Sequence, residues 1–134
     1  DLIGSSQMRS AEGMTTMQAY GSLIKENIDY DNLLITHPFE QELINGIYEL
    51  ILETVLCQNE EILIARNRYP VQFVKSKFLK LKYSHIEYVI ECLKKNTSKV
   101  KNIKKYMLAA LFNAPATIDG YYQAEVNHDM PQFA

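Results

Sequence analysis

The chain has 134 residues, 47% of them hydrophobic and 22% charged, with a net charge of −2 at neutral pH. That length supports one domain, able to bury roughly two-thirds of its unfolded surface without staples. Two cysteines exclude a disulfide-dense scaffold, no apolar run approaches the ~20 residues of a membrane span, and no signal peptide is visible.

Residues 1–15 are rich in Ser, Gly and Met without a period and read as a linker or frayed end. The domain proper spans 16–128, and 129–134 reads as a tail. The chain starts at Asp1 and reads as a piece of something longer. From Thr16 to Asn27 a helix is predicted, with Tyr20, Leu23, Ile24 and Ile28 as its apolar stripe. Asp29-Tyr30-Asp31-Asn32 reads as a turn. It lacks the glycine and distal glutamate of a calcium loop, so no metal is expected there.

Pro38 suits the first turn of the next helix, with Thr36 as its cap. Phe39, Leu43, Ile44, Ile47, Tyr48, Leu50, Ile51, Leu52, Val55 and Leu56 follow, covering more than one helical face. That pattern predicts a central helix touched by several others. Gly46 within it costs about 1 kcal/mol relative to alanine, which a close helix crossing would justify. Ile62 to Ala65, then Arg66-Asn67, then Arg68-Tyr69 reads as a short hairpin with Asn67 in the left-handed position.

Pro70 opens another helix with the stripe Val71, Val74, Phe78 and Leu81. Ser84-His85-Ile86-Glu87 matches a capping box for a helix bearing Ile86, Val89, Ile90 and Leu93. Ser98 to Pro115 is the organising helix. Val100, Ile103, Met107 and Leu111 share one face, and Tyr106, Ala110 and Ala114 widen it. Lys101, Lys104 and Lys105 fall opposite, Thr97 or Ser98 caps the start, and Pro115 stops the helix. Ala116 to His128 makes a last short helix through Ile118, Tyr121, Tyr122 and Val126. The fold class is therefore all-α: a compact bundle of about five or six helices with one β-hairpin inserted near residues 62–69.

Charge is unevenly spread. Arg66 to Lys105 holds twelve Lys or Arg against Glu87 and Glu91, a net of +10, while the remaining chain carries −12. Such a basic block is the electrostatic footprint of a nucleic-acid or acidic-partner surface. The candidate DNA contacts are Arg66, Arg68, Lys75, Lys77, Lys99, Lys101, Lys104 and Lys105. Tyr83 and Tyr88 bracket the basic helices; they read first as half-buried amphipathic core residues, with base stacking as the alternative.

Catalytic patterns are thin. His37, His85 and His128 form no zinc-binding helical pair, and there is no phosphate loop or nucleophile elbow. Cys57 and Cys92 each sit in an apolar helical pattern and read as free thiols of a reducing, cytoplasmic setting. No enzyme activity, cofactor or metal is expected.

The run from Tyr69 to Tyr122 resembles the C-terminal domain of the replication initiator protein A family of plasmids and conjugative elements of Gram-positive bacteria. SHIEYVIECLKKNT, KVKNIKKYMLAALFNAP and TIDGYY carry the resemblance, with IKENIDYD at Ile24 to Asp31 before them. It covers about Tyr20 to His128. It implies a C-terminal helical domain similar to DnaD, a primosome protein, attached to an N-terminal winged-helix domain that binds the origin. It further implies recruitment of a host replication protein, primase foremost, and contact with DNA. Where DnaD-type domains often show Tyr, Ile and Trp at four-residue steps, this chain has Tyr106, Ala110 and Ala114.

Overall fold

The computed structural model describes the backbone of residues 2–96 and 101–129 and the side chains of residues 15–96 and 101–118. Among these residues six helices surround one hydrophobic core, with a two-stranded antiparallel hairpin between the third and fourth. The helices are α1 (Leu2–Ile28), α2 (Tyr30–Thr36), α3 (Gln41–Val55), α4 (Val71–Phe78), α5 (Tyr83–Asn96) and α6 (Ile103–Asp129). The strands are β1 (Glu61–Ile64) and β2 (Asn67–Pro70). The all-α bundle with a small hairpin is the architecture that the periodicities predict.

Helix α1 runs back to Leu2, so the helix predicted from Thr16 is longer at its N-terminal end. Ile24 and Ile28 are buried, whereas Leu23, placed on the same stripe from sequence, is exposed. Gly21 is buried, and a Cβ there would stand 2.7 Å from the Tyr48 hydroxyl, so the close approach of Tyr48 favours a glycine. The predicted acidic turn shrinks to one residue. Asp29 adopts the left-handed conformation (φ 54°), and Tyr30, Asp31 and Asn32 already form the first turn of α2. An Asp tolerates that backbone better than most side chains do.

Helix α3 contacts α1, α2, α4, α5 and α6. It buries Ile44, Ile47, Leu50, Ile51 and Val55, as a many-sided apolar pattern requires. Each such side chain contributes roughly 1.5–3 kcal/mol by leaving water. Thr54, buried among them, donates to the Leu50 carbonyl at 2.7 Å. Two expectations for α3 fail. It starts at Gln41, with Pro38 and Phe39 in the preceding turn, and Thr36 donates back to the Asn32 carbonyl instead of capping α3. Gly46 does not sit at a close crossing, because a Cβ there would meet nothing within 4 Å.

The hairpin pairs Ile64 with Asn67, so the turn is Ala65-Arg66 and not Arg66-Asn67. Both turn residues have positive φ (51° and 71°), the twist that matches the flanking strands. The buried Ile64 decides this register, since a one-residue slip would turn it to solvent. In α4, Val71, Val74 and Phe78 are buried, with Leu81 just beyond, as predicted.

The capping box at Ser84 is displaced by two residues. Helix α5 starts at Tyr83, and His85 Nδ1 accepts the Lys82 backbone N–H at 2.9 Å. The imidazole thus serves Lys82 as a glutamate would serve Ser84. Glu87 is drawn away instead to His37 Nε2, 2.9 Å off at the end of α2. The predicted stripe Ile86, Val89, Ile90 and Leu93 is buried and packs α5 against α6.

In α6 the described cap is Asn102, whose Oδ1 accepts the Lys105 N–H at 3.0 Å. Thr97, Ser98 and Val100 lie outside the described residues, as does the tail from 130. Met107, Leu111 and Ala114 are buried as expected, but Ile103 is exposed. Pro115 does not stop the helix; it lies inside α6, which continues to Asp129. A proline there removes the donor for the Leu111 carbonyl. Burial of Leu111, Phe112 and Ala114 before it and Ile118 after it holds the backbone helical across that break.

Candidate functional site

The fold sorts the eight basic candidates into different environments. Arg66 stands at the hairpin turn and Lys105 in the first turn of α6. They line one shallow cavity of about 250 Å³ together with Leu63, Ile64, Ala65 and Leu108. Arg68 is exposed and faces Leu63 across the ladder. Lys101 is exposed just before the Asn102 cap. Among the described residues, none of these four cations pairs with a carboxylate within 4 Å. Lys104 is different: its ammonium lies 3.0 Å from Glu53 on α3, which neutralises it. Lys75 is half-buried in the last turn of α4. Lys99 lies outside the described residues.

Lys77 is held over aromatic rings. Its Nζ is 4.1 Å from the centroid of Phe112 and 5.3 Å from that of Phe73. The Phe73 ring stacks on Tyr69 with centroids 6.0 Å apart, and Tyr69 lies 4.7 Å from Phe112. Phe112 is buried, while Phe73 is 46% exposed. Phe73 escaped the sequence reading, which followed the stripe Val71, Val74 and Phe78 and left the opposite face of α4 to the lysines. The signal that identifies it is its four-residue spacing from Lys77 on that other face. Tyr83 and Tyr88 follow the core reading and not the stacking alternative. Both are half-buried against the core, and the Tyr83 hydroxyl meets Thr36 Oγ1 at 2.8 Å. A hydrogen bond with the Cys92 thiol, and then burial, raises the pKa of Tyr88 above the usual phenol value.

The opposite charge gathers on α2 and α3. From Glu26 to Glu61 there are nine carboxylates and no Lys or Arg. On α3, Glu42, Glu49 and Glu53 recur at seven and four residues, the spacing of one helical face, and all three are exposed. The last turn of α2 and the turn that follows it carry two large apolar side chains in water: Ile35 is 75% exposed and Phe39 95% exposed. A depression of about 470 Å³ at this corner is lined by Pro38, Phe39, Glu40, Gln41, Glu42 and Leu43. Glu40 is tied to Lys94 of α5 at 3.3 Å, which fixes the corner to the bundle.

Among the described residues there is no group of three or more His, Cys, Asp or Glu arranged to hold a metal. Both cysteines are free thiols, and both are half-buried. Cys57 borders a groove of about 470 Å³ between α3, β1 and α6, beside Thr54, Ile62 and Leu108. His37 and His85 spend ring nitrogens on Glu87 and on the Lys82 backbone. No helix among the described residues is long and apolar enough to cross a membrane.

No curated protein and no solved structure matches the chain. Residues 5–132 match the model of a family described as one of unknown function, DUF6017. With nearly its whole length matched, the chain belongs to the DUF6017 family.

Proposed function

We propose that this domain is the non-catalytic C-terminal module of a plasmid-type replication initiator and that it recruits a host replication protein to the origin in the cytoplasm, primase being the leading candidate. The observation supporting this reading is the corner between α2 and α3. Ile35 and Phe39 stand in water amid an all-acidic stretch, with Glu42 beside Phe39 and Asp31 one turn before Ile35. A protruding aromatic ring is the usual anchor of a protein interface, and the carboxylates around it select a basic partner. The resemblance to replication initiators supplies the setting. Calorimetric titration of the chain against purified host primase tests the reading. Wild type binds, and Phe39→Ala binds about 30-fold or more weakly, the loss expected of an interface hot spot. Equal affinity of wild type and Phe39→Ala would remove this corner from the interface.

A second reading, direct and sequence-independent DNA binding, is favoured by a separate observation: Arg66 and Lys105 converge on one cavity, with Arg68 on the same hairpin and Lys101 on the same helix start. Lys101, Lys104 and Lys105 crowd the positive end of α6, where the helix dipole disfavours cations. Lys104 is answered by Glu53, while Lys101 and Lys105 have no carboxylate partner among the described residues, and a phosphate contact would account for them. Each phosphate neutralised on duplex DNA contributes about −0.9 to the slope of log affinity against log salt. The two readings use different faces and are compatible.

A further inference from the structure

We infer that Phe73, flanked by Lys77, is a stacking site for a base of single-stranded nucleic acid, extending the Arg66–Lys105 cavity into one track. The inference rests on the nucleic-acid reading above and deepens it by naming the substrate class.

The argument starts from α4. Val71, Val74 and Phe78 turn to the core, so Phe73 and Lys77 occupy the helix's other side. Phe73 keeps nearly half its surface in water, yet its ring is not loose. Tyr69 stacks against it with an interplanar angle of 26°, and Phe112 meets it at 67° with centroids 6.0 Å apart. A ring braced in this way has little rotamer freedom left to lose on binding. Lys77 makes no ion pair among the described residues; its ammonium lies over the ring cluster. An exposed aromatic ring beside a cation that no carboxylate neutralises is a unit by which proteins hold single strands regardless of sequence.

Helix α6 connects this unit to the other cations. Lys105, Leu108 and Phe112 recur at three and four residues and share one face. Lys105 and Leu108 line the cavity with Arg66, and Phe112 lies under Lys77. At 1.5 Å per residue the two ends are about 10 Å apart along the helix. Arg66, Lys105, Lys77 and Phe73 thus supply phosphate contacts and a stacking ring along one line. Paired bases in a duplex hide their faces in the stack and show only edges in the grooves, so a ring used in this way selects unpaired strands.

Fluorescence anisotropy of labelled oligo-dT, and of a labelled duplex of equal length, tests the inference on the whole 134-residue chain at several salt concentrations. The expected result is tighter binding of oligo-dT. Phe73→Ala weakens it by about 5- to 150-fold, the equivalent of one base–aromatic stack, without changing the salt slope. Lys77→Gln makes that slope shallower by about 0.7, the contribution of one phosphate on a single strand. Phe73→Leu keeps apolar bulk on the core and serves if the alanine variant unfolds; it too binds weakly, whereas Phe73→Tyr binds like wild type. Folded Phe73→Leu with wild-type affinity would overturn the inference and make Phe73 a lid on the core, leaving the phosphate reading intact. Wild type that binds neither probe at low salt would overturn both.

Discussion

Replacing Gly46 by alanine isolates a single term of the stability. Gly46 lies in the middle of α3, and a Cβ added there meets no atom within 4 Å. The substitution adds no clash and removes no contact. What remains is backbone entropy and helix propensity, worth about 0.8–1 kcal/mol in favour of alanine. For a chain of this size that raises Tm by about 3–5 °C. Gly21→Ala is the matched control, because the propensity gain is similar. There the new Cβ stands 2.7 Å from the Tyr48 hydroxyl and the ring must move. Tyr48 packs on Tyr30 at 5.4 Å, and Lys25 Nζ lies 4.8 Å and 5.0 Å from the two rings. Disturbing one aromatic pair and one cation–π contact costs roughly 1–2.5 kcal/mol, which cancels or exceeds the gain. Urea unfolding followed by far-ultraviolet circular dichroism, with the slope m held constant, reads both variants on one scale. Gly46→Ala is expected to be the more stable of the two. Destabilisation by Gly46→Ala, or equal stabilisation by both, would refute the packing described around α1 and α3.

Leu93 of α5 is fully buried in the core, so Leu93→Ala opens a cavity and costs about 2–5 kcal/mol in the same melts; a change under about 0.5 kcal/mol would contradict its burial. Asn102→Ala removes the cap on the Lys105 N–H and is expected to cost about 1 kcal/mol with the core unchanged, which amide exchange confined to the first turn of α6 would show. Lys101, Lys104 and Lys105 changed together to alanine leave stability within about 1 kcal/mol, because the Lys104–Glu53 pair is almost two-thirds exposed at both ends. The same triple variant binds DNA more weakly and with a shallower salt slope, and unchanged affinity in a folded protein would exclude this helix start from the DNA surface.

Much of the bundle was legible because its helices are long and periodic. The stripes of α3, α4 and α5 fall on buried residues, since a helix with a large apolar side chain every three or four residues needs a core to receive them. Boundaries were less legible. The hairpin turn slips by one residue because burial of Ile64 overrides the local preference of Asn67 for a left-handed backbone. The cap of α5 moves to Lys82 because Glu87 finds a better partner in His37, fifty residues away, which no local motif records. Pro115 stays helical because of tertiary packing on both sides of it.

The candidate sites show the same division. The charge count located the basic segment, but pairing decides which cations are available. Lys104 is neutralised by Glu53 from fifty-one residues away, while Arg66 and Lys105, thirty-nine residues apart in sequence, line one cavity. Phe39 read as the first apolar residue of a central helix, yet the turn at Pro38 leaves it 95% exposed. Exposure of that ring, not its hydrophobicity, is what makes it the candidate anchor in the proposed docking.

The most direct test of the account is one set of parallel titrations. Wild type, Phe39→Ala and the double variant Arg66→Ala with Lys105→Ala are each titrated with purified host primase and with labelled DNA. The account predicts a crossed result: Phe39→Ala loses primase and keeps DNA, and the double variant loses DNA and keeps primase. Loss of both ligands by either folded variant, or of neither by both, would contradict the division of this surface into an acidic docking face and a basic nucleic-acid face.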